Sequence, residues 1–240
     1  MNKSTNNTTK NKFPDFPNES VATLCKLYGS LVNVKKNTVF FDAESFKDNP
    51  YVYYLVDGIC SICGQSQDGQ EQTLLYQMPG DIIGHVPHLM PHGAYYVLYS
   101  YQRPIVMAKT KCSVYKIPVS AFMKTCETNV EFSNYLLKRL AFNYDMVISH
   151  LKQIQEEPSA IFLCRFLLRM AVETPAGFVV PKLFTHKEIS GYFGIHDITV
   201  ARMIGSLKKL GYIDRVPEGL LIIDKKALQD IVLNQDSFKY

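Results

Sequence analysis

The residues best suited to bind another molecule lie near the C-terminal end, where residues 184–207 form two short helical patterns around Gly194. Thr185 can cap the first pattern, because Glu188 follows it at the spacing of a capping box. A helix, a short turn containing glycine and a second helix make a helix-turn-helix, whose second helix enters the major groove of DNA. Any helical hairpin would show the same pattern, so DNA binding is predicted only in combination with the residues downstream.

The next residues predict the second helix, a hairpin and a last helix. His196 or Asp197 can cap the second helix. Four apolar residues at helical spacing give that helix an inner face: Val200, Met203, Ile204 and Leu207. Two short apolar runs then surround a turn at residues 216–219, which predicts a β-hairpin, or wing. Asp224 can cap a last helix over residues 225–233.

This stretch resembles the winged helix-turn-helix of the CRP/FNR superfamily of bacterial transcription regulators. The residues that match its motif are Thr185, Glu188, Ile189, Gly194, Thr199, Val200 and Arg202. Ser190 replaces an alanine of the motif, and Asp197 and Ile198 replace an Arg-Glu pair. The resemblance implies a transcription regulator, with double-stranded promoter DNA and RNA polymerase as partners. Activation is the expected sign, although the residues themselves decide neither activation nor repression.

The residues expected to contact DNA lie where the two helices begin and along the second one. They are Thr185, His186, Lys187, His196, Asp197, Ile198, Thr199 and Arg202. Arg202, matched to an arginine that the superfamily retains, can bind guanine with two hydrogen bonds or clamp a phosphate. Ile198 can offer only an apolar contact, for which the thymine methyl is the natural partner. We therefore expect an A·T-rich inverted repeat as the binding site.

Composition limits the remaining possibilities. The 240 residues, 47% of them hydrophobic, suffice for two modest domains, and a net charge of +4 is too small to identify a nucleic-acid binder by itself. No apolar run approaches the roughly 18 residues of a membrane span. Residues 1–12 lack the apolar stretch of a signal peptide. We expect a cytoplasmic protein with no membrane partner.

Many short strands with turn residues between them predict a β-barrel or sandwich upstream. The predicted strands are residues 32–34, 38–41, 51–56, 59–63, 72–76, 95–101, 104–108 and 113–117. Their order resembles the β-roll of the same superfamily. The predicted fold is α+β, in four parts: a flexible tail (1–18), an effector-sensing, jelly-roll-like β-roll (19–124), a long dimerisation helix (125–157) and the winged helix-turn-helix domain (158–240).

The long helix carries two apolar faces. Its heptad positions a and d, which we call the seam, are Val130, Ser133, Leu137, Leu140, Tyr144, Val147, Leu151 and Ile154. All but the serine are apolar or aromatic, which predicts a coiled-coil homodimer. Packing against the chain's own barrel is the alternative. A second face could supply that packing at the same time: Phe132, Tyr135, Leu136, Arg139, Phe142 and Met146.

The residues that hold a cyclic nucleotide in the superfamily are missing here. Gly84 is followed by His85 instead of glutamate, and residues 91–96 contain no arginine for the cyclic phosphate. We therefore expect a small organic effector other than cyclic AMP, with no further cofactor.

The β-roll and long helix also resemble the halophenol-responsive regulators of reductive dehalogenation, through Leu74-Leu75-Tyr76, Ile83-Gly84 and Asn134-Tyr135-Leu136-Leu137-Lys138. The resemblance implies that Tyr76, Tyr135 and Lys138 hold a phenolate. Tyr135 and Lys138 are one turn apart, so they can share a face. The complete set expected to bind the effector is Tyr76, Gly84, His85, Tyr95, Tyr135 and Lys138.

Three alternatives stay open at this point. His85, His88 and His92 lie close enough in sequence to hold a metal or haem if their loop is helical. Cys60 and Cys63 could serve a redox role, although residues three apart on a strand face opposite sides. A cupin-like metal enzyme would use a histidine cluster of this kind, but we identify no catalytic residues and expect no enzyme.

Overall fold

The computed structural model describes residues 19–42, 49–65, 71–90 and 105–240. They fall into two compact units that divide between Ser149 and His150. The predicted strand at residues 95–101 and the tail at 1–18 lie outside the described residues. Within the described part of the chain, no helix is both long enough and apolar enough to cross a membrane.

The first unit is a β-roll of two four-stranded antiparallel sheets, which confirms the predicted architecture. The strand orders are β1-β8-β3-β6 and β2-β7-β4-β5. The strands are β1 Ser30–Val34, β2 Val39–Phe41, β3 Tyr51–Asp57, β4 Cys60–Gln65, β5 Glu71–Gln77, β6 Ile82–Ile83, β7 Ile105–Ala108 and β8 Cys112–Pro118. The helices that accompany them are α1 Glu19–Tyr28, α2 Val86–Leu89, α3 Val119–Thr128 and α4 Val130–Glu156.

Strand β3 is buried on both of its faces, which explains its nearly continuous apolar sequence. Leu55 packs in the core between the two sheets. Val52 and Tyr54 point the other way, into a second core that side chains of α1, α3 and α4 complete. The sheet containing β3 therefore has the roll on one side and a layer of helices on the other.

The second unit is a winged helix-turn-helix domain. Its elements are α5 Ser159–Met170, β9 Val172–Thr174, β10 Gly177–Pro181, α6 His186–Phe193, α7 Asp197–Lys209, β11 Ile213–Val216, β12 Gly219–Ile222 and α8 Lys225–Asn234. The predicted hairpin β11–β12 is confirmed, and it continues into a four-stranded sheet of order β11-β12-β10-β9. The sequence did not predict the first hairpin, β9–β10.

Helix α4 is fixed to the β-roll by a buried ion pair. The guanidinium of Arg139 donates from Nε to Oδ1 of Asp81 over 3.0 Å and from Nη2 to the same oxygen, and the two side chains are only 7% and 3% exposed. The other oxygen of Asp81 accepts the backbone N–H of Met78 at 2.8 Å. One turn earlier, the Tyr135 hydroxyl donates to the carbonyl oxygen of Gly80. These bonds join the β5–β6 turn to the helix.

Replacing Arg139 with Met should lower the free energy of unfolding by about 3–5 kcal/mol, because Asp81 would stay buried without its partner charge. Chemical denaturation measures this loss. Lys152 and Glu156 offer a matched control, since they form an ion pair whose side chains are 72% and 65% exposed. Lys152→Ala should change stability by less than about 1 kcal/mol. Equally small losses in both variants would contradict the buried state of the first pair.

Candidate nucleic-acid interface and effector cavity

The turn between α6 and α7 has the geometry that the sequence predicted. The Thr185 hydroxyl accepts the backbone N–H of Glu188 at 3.2 Å and caps α6. Gly194 ends the helix at φ 68°, a left-handed conformation that favours glycine. His196 is the N-cap of α7, but its side chain makes no capping hydrogen bond. Of the two residues that the sequence offered as caps, His196 takes the N-cap position and Asp197 is the first residue of the helix.

Helix α7 buries one side and exposes the other. The four inner residues predicted from sequence are at most 2% exposed: Val200, Met203, Ile204 and Leu207. On the outer side Ile198 is 63% exposed, and Arg202 is also exposed. A solvent-facing isoleucine at the start of a helix contributes nothing to the core, so the position is free to contact another molecule.

Four of the eight predicted DNA-contacting residues meet the wing at a concave surface. A depression of about 510 Å³ is lined by Thr185, His186, Lys187 and Asp197 together with Pro181, Lys182, Phe184 and the wing residues Arg215, Val216, Gly219 and Leu220. Lys182 and Arg215 were not among the residues predicted to contact DNA, although both are basic and flank the motif. His196, Ile198, Thr199 and Arg202 do not line this depression.

A second concave feature lies in the β-roll, as a cavity of about 360 Å³ beside α4. Its lining residues are Phe41, Ile62, Leu75, Gln77, Gly84, His85, Val86, Pro87, Val106, Leu140, Asn143, Tyr144 and Val147. Gly84 and His85 belong to the predicted effector set. The sequence did not indicate Gln77, Asn143 or Tyr144. Three of the lining residues, Leu140, Tyr144 and Val147, are also seam positions of α4.

The other predicted effector residues that the structure describes do not line this cavity. Tyr76 and Tyr135 are buried but do not line it. Burial raises the pKa of Tyr135, so the phenol keeps its proton and its hydroxyl donates a hydrogen bond to the Gly80 carbonyl oxygen. Lys138 is exposed. In a single chain the edge of the buried face falls between Tyr135 and Lys138, so their joint role in binding an effector stays a prediction. Tyr95 lies outside the described residues.

His85 is the most unusual group in the cavity wall. It is 5% exposed, and neither ring nitrogen has a hydrogen-bond partner among the described residues. Burial lowers the pKa of His85 to about 4; the nearby Ile82 carbonyl opposes this effect, although it is not aligned as a hydrogen-bond acceptor, and His88 adds to it. The ring is therefore uncharged at neutral pH.

Five of the eight seam positions of α4 are exposed in one chain, Ser133, Leu140 and Val147 are half-buried, and most of the second face is buried. Val130, Leu137 and Tyr144 are 76%, 62% and 70% exposed. On the second face, Phe132, Tyr135, Leu136, Arg139 and Met146 are buried. One helix therefore packs on the β-roll and presents a separate apolar surface.

The alternatives based on metal or cysteine pairs gain no support from the geometry. Within the described ranges, no group of three His, Cys, Asp or Glu side chains could hold a metal ion. His92 lies outside those ranges. Cys60 lies 3.8 Å from Cys112, measured between the sulfur atoms, whereas Cys63 lies 3.0 Å from the Ser61 hydroxyl. The two residues of the Cys60–Cys63 pair thus have different surroundings.

Comparison with known proteins gives a consistent result. Residues 31–129 match the cyclic nucleotide-binding domain, and residues 163–231 match the Crp-like helix-turn-helix domain. The transcriptional activatory protein AadR of Rhodopseudomonas palustris is 23% identical over 176 residues, which are 73% of this chain and 70% of that protein.

Two solved structures share the fold at low sequence identity. FixK2 from Bradyrhizobium japonicum is 18% identical, with a TM-score of 0.68 over 88% of this chain and 99% of that chain. CprK, described as OCPA-complexed, is 16% identical, with a TM-score of 0.62 over 89% of this chain and 93% of that chain.

Acidification should destabilise the protein through His85. Between pH 6.5 and about 4 the unfolded chain binds a proton at this ring and the folded chain does not. The free energy of unfolding should therefore decrease as the pH is lowered across that window, and His85 should contribute up to about 3 kcal/mol of the decrease. Chemical denaturation at a series of pH values should show that the free energy of unfolding depends less steeply on pH in His85→Phe than in wild type. His88→Phe is the control with a smaller expected change, because His88 is less buried. Identical slopes in wild type and His85→Phe would contradict the prediction.

Proposed function

We propose that this chain, which matches the cyclic nucleotide-binding domain and the Crp-like helix-turn-helix domain, is a transcription regulator of the CRP/FNR family. We further propose that it binds an inverted DNA repeat as a homodimer under the control of a small effector. The observation that carries the proposal is the double use of α4. Leu140, Tyr144 and Val147 belong to its exposed seam and also line the cavity.

The homodimer is supported by the exposed seam. Exposing a row of apolar side chains to water is unfavourable, and pairing with a second copy of the same helix would bury that row. The seam and the β-roll overlap only in part: Val130, Leu137 and Tyr144 are exposed, whereas Leu140 is half-buried against the core of the roll. A two-fold dimer would carry two copies of the recognition helix α7. They would require two half-sites about one turn of the DNA double helix apart.

DNA recognition is supported by the exposed start of α7. Ile198 can reach the methyl group of thymine, and Arg202 can bind guanine or phosphate. We infer an A·T-rich palindromic promoter site. Activation through RNA polymerase is the proposed outcome, and the name of the relative AadR, a transcriptional activatory protein, agrees with it. Promoter DNA and polymerase are in the cytoplasm, which is where we expect the protein to act.

Effector control is supported by the position of the cavity. A ligand changes an equilibrium only if it binds one conformation better than another. A molecule in the cavity would touch Leu140, Tyr144 and Val147, so its affinity would depend on how the seam is packed. A small aromatic molecule fits the size and apolar lining of the cavity. Halogenated phenols are the class implied by the sequence resemblance, and they enter the proposal on that ground alone.

Leu137→Glu should convert the dimer into monomers that bind DNA poorly, because two acidic groups would face each other in the seam. Leu137 is 62% exposed in one chain, so the substitution leaves the fold of the monomer intact. It is a cleaner choice than Leu140, which also lines the cavity. Sedimentation velocity gives the oligomeric state. Lys152→Glu, at an exposed position outside the seam, should remain dimeric. A dimeric Leu137→Glu would show that the heptad assignment is wrong.

Ile198→Glu should weaken binding to the selected site by about 1–3 kcal/mol and change the base preferred at that position. Arg202→Ala should weaken binding more broadly if the arginine clamps a phosphate. Selection of sites from random DNA, followed by affinity measurements on each variant, tests both. Leu233→Glu is the matched control, since Leu233 is 76% exposed and lies on α8, away from the recognition helix. Recovery of a G·C-centred half-site, or of no palindrome, would overturn the assignment of Ile198.

A further inference from the structure

The cavity beside α4 contains polar atoms that have no partner among the described residues. Both ring nitrogens of His85 and the Oε1 atom of Gln77 are in this state. The two side chains are buried, with residue exposures of 5% and 3%. The amide nitrogen of Gln77 is engaged, because it donates to the Ile82 carbonyl at 3.5 Å. A buried polar atom without a partner destabilises a protein, so a site that retains three of them has a use for them.

The hydrogen-bonding character of these atoms follows from their chemistry. A neutral imidazole presents one N–H donor and one nitrogen acceptor, and a glutamine oxygen is an acceptor only. The unpaired atoms of His85 and Gln77 therefore offer one donor and two acceptors. A molecule that satisfies them needs at least one acceptor and one donor of its own.

The lack of charged side chains in the described lining disfavours anionic ligands. No lysine, arginine, aspartate or glutamate is among the described residues that line the cavity. The ion pair of Arg139 with Asp81, to which the lining residue Asn143 donates at 3.5 Å, is already satisfied internally. An anion in this space would lose its hydration without gaining a counter-ion, which is costly.

Apart from Asn143 and Tyr144, the remaining lining is apolar and can hold the body of a ligand. Phe41, Ile62, Leu75 and Val106 come from the sheets, and α4 adds Leu140 and Val147. A volume of about 360 Å³ is near the lower end of the range for small-molecule sites, which suits a single substituted ring.

We propose, on the basis of the effector-sensing function proposed above, that this cavity takes an uncharged and largely apolar molecule that carries both a hydrogen-bond donor and an acceptor, such as an aromatic amide. The His85 N–H donates to the acceptor of the ligand, and the Gln77 oxygen accepts from its donor. A phenol would bind in its protonated form.

Three probes of nearly equal shape separate charge from hydrogen bonding. They are 4-ethylbenzamide, which is neutral with a donor and an acceptor, 4-ethylbenzoate, which is an anion, and 4-ethylacetophenone, which is neutral with an acceptor only. Calorimetric titration of the full chain at pH 7 should show the amide binding at least about tenfold tighter than the ketone and the carboxylate.

Two variants and one control connect this preference to the cavity. His85→Phe and Gln77→Leu should each weaken amide binding about tenfold, and Gln77→Leu should remove most of the preference for amide over ketone. His88→Phe is the control, because His88 is on α2, the short helix that follows His85, and does not line the cavity. This variant should retain the preference for the amide over the ketone. Without a probe, His85→Phe should melt at the same temperature as wild type or higher, because it removes unpaired polar atoms. If His85 were instead hydrogen-bonded within the fold, its replacement would lower the melting temperature.

Tighter binding of the carboxylate than of the amide would overturn the proposal. So would an unchanged amide preference in both cavity variants, or no binding of any probe at millimolar concentration. The titration needs no DNA, so its result is separate from that of the proposed function. Loss of effector control would appear differently, as unchanged DNA binding while a probe occupies the cavity.

Discussion

The buried ion pair between Arg139 and Asp81 is the constraint on which the rest of the first unit depends. A charge that is 7% exposed cannot lose its partner without a large loss of stability. The pair therefore fixes the rotation of α4 against the β-roll, and the Tyr135 bond to Gly80 supports the same orientation. Once that rotation is set, the seam has to face outward. The same constraint places part of the seam beside the cavity.

This arrangement explains how one helix can serve both a ligand and a partner chain. Tyr144 is 70% exposed and also lines the cavity, so its ring stands where the two surfaces meet. A molecule bound inside would contact side chains whose packing determines the seam. A ligand that bonds to the atoms of His85 and Gln77 that have no partner among the described residues would offset the cost of burying them. No motion of the domains has to be assumed for this coupling.

The sequence predicted what depends on local periodicity and failed where distant residues meet. The seam and the second face followed from helical spacing, and Thr185 and Gly194 from the preferences of helix ends. Spacing alone does not show where the buried part of a helix stops, so it did not indicate that Tyr135 is buried and Lys138 exposed. The cavity could not be predicted either, because its walls come from separate strands and α4. The hairpin β9–β10 was missed as well.

The central claim is that two chains bind one inverted repeat. Fluorescence anisotropy with a labelled duplex measures stoichiometry and affinity together, for the selected repeat and for the same duplex with one half-site scrambled. We expect two chains per duplex and an affinity at least about a hundredfold lower for the scrambled duplex, because one of two linked contacts is lost. One chain per duplex, with equal affinity for both duplexes, would contradict the claim.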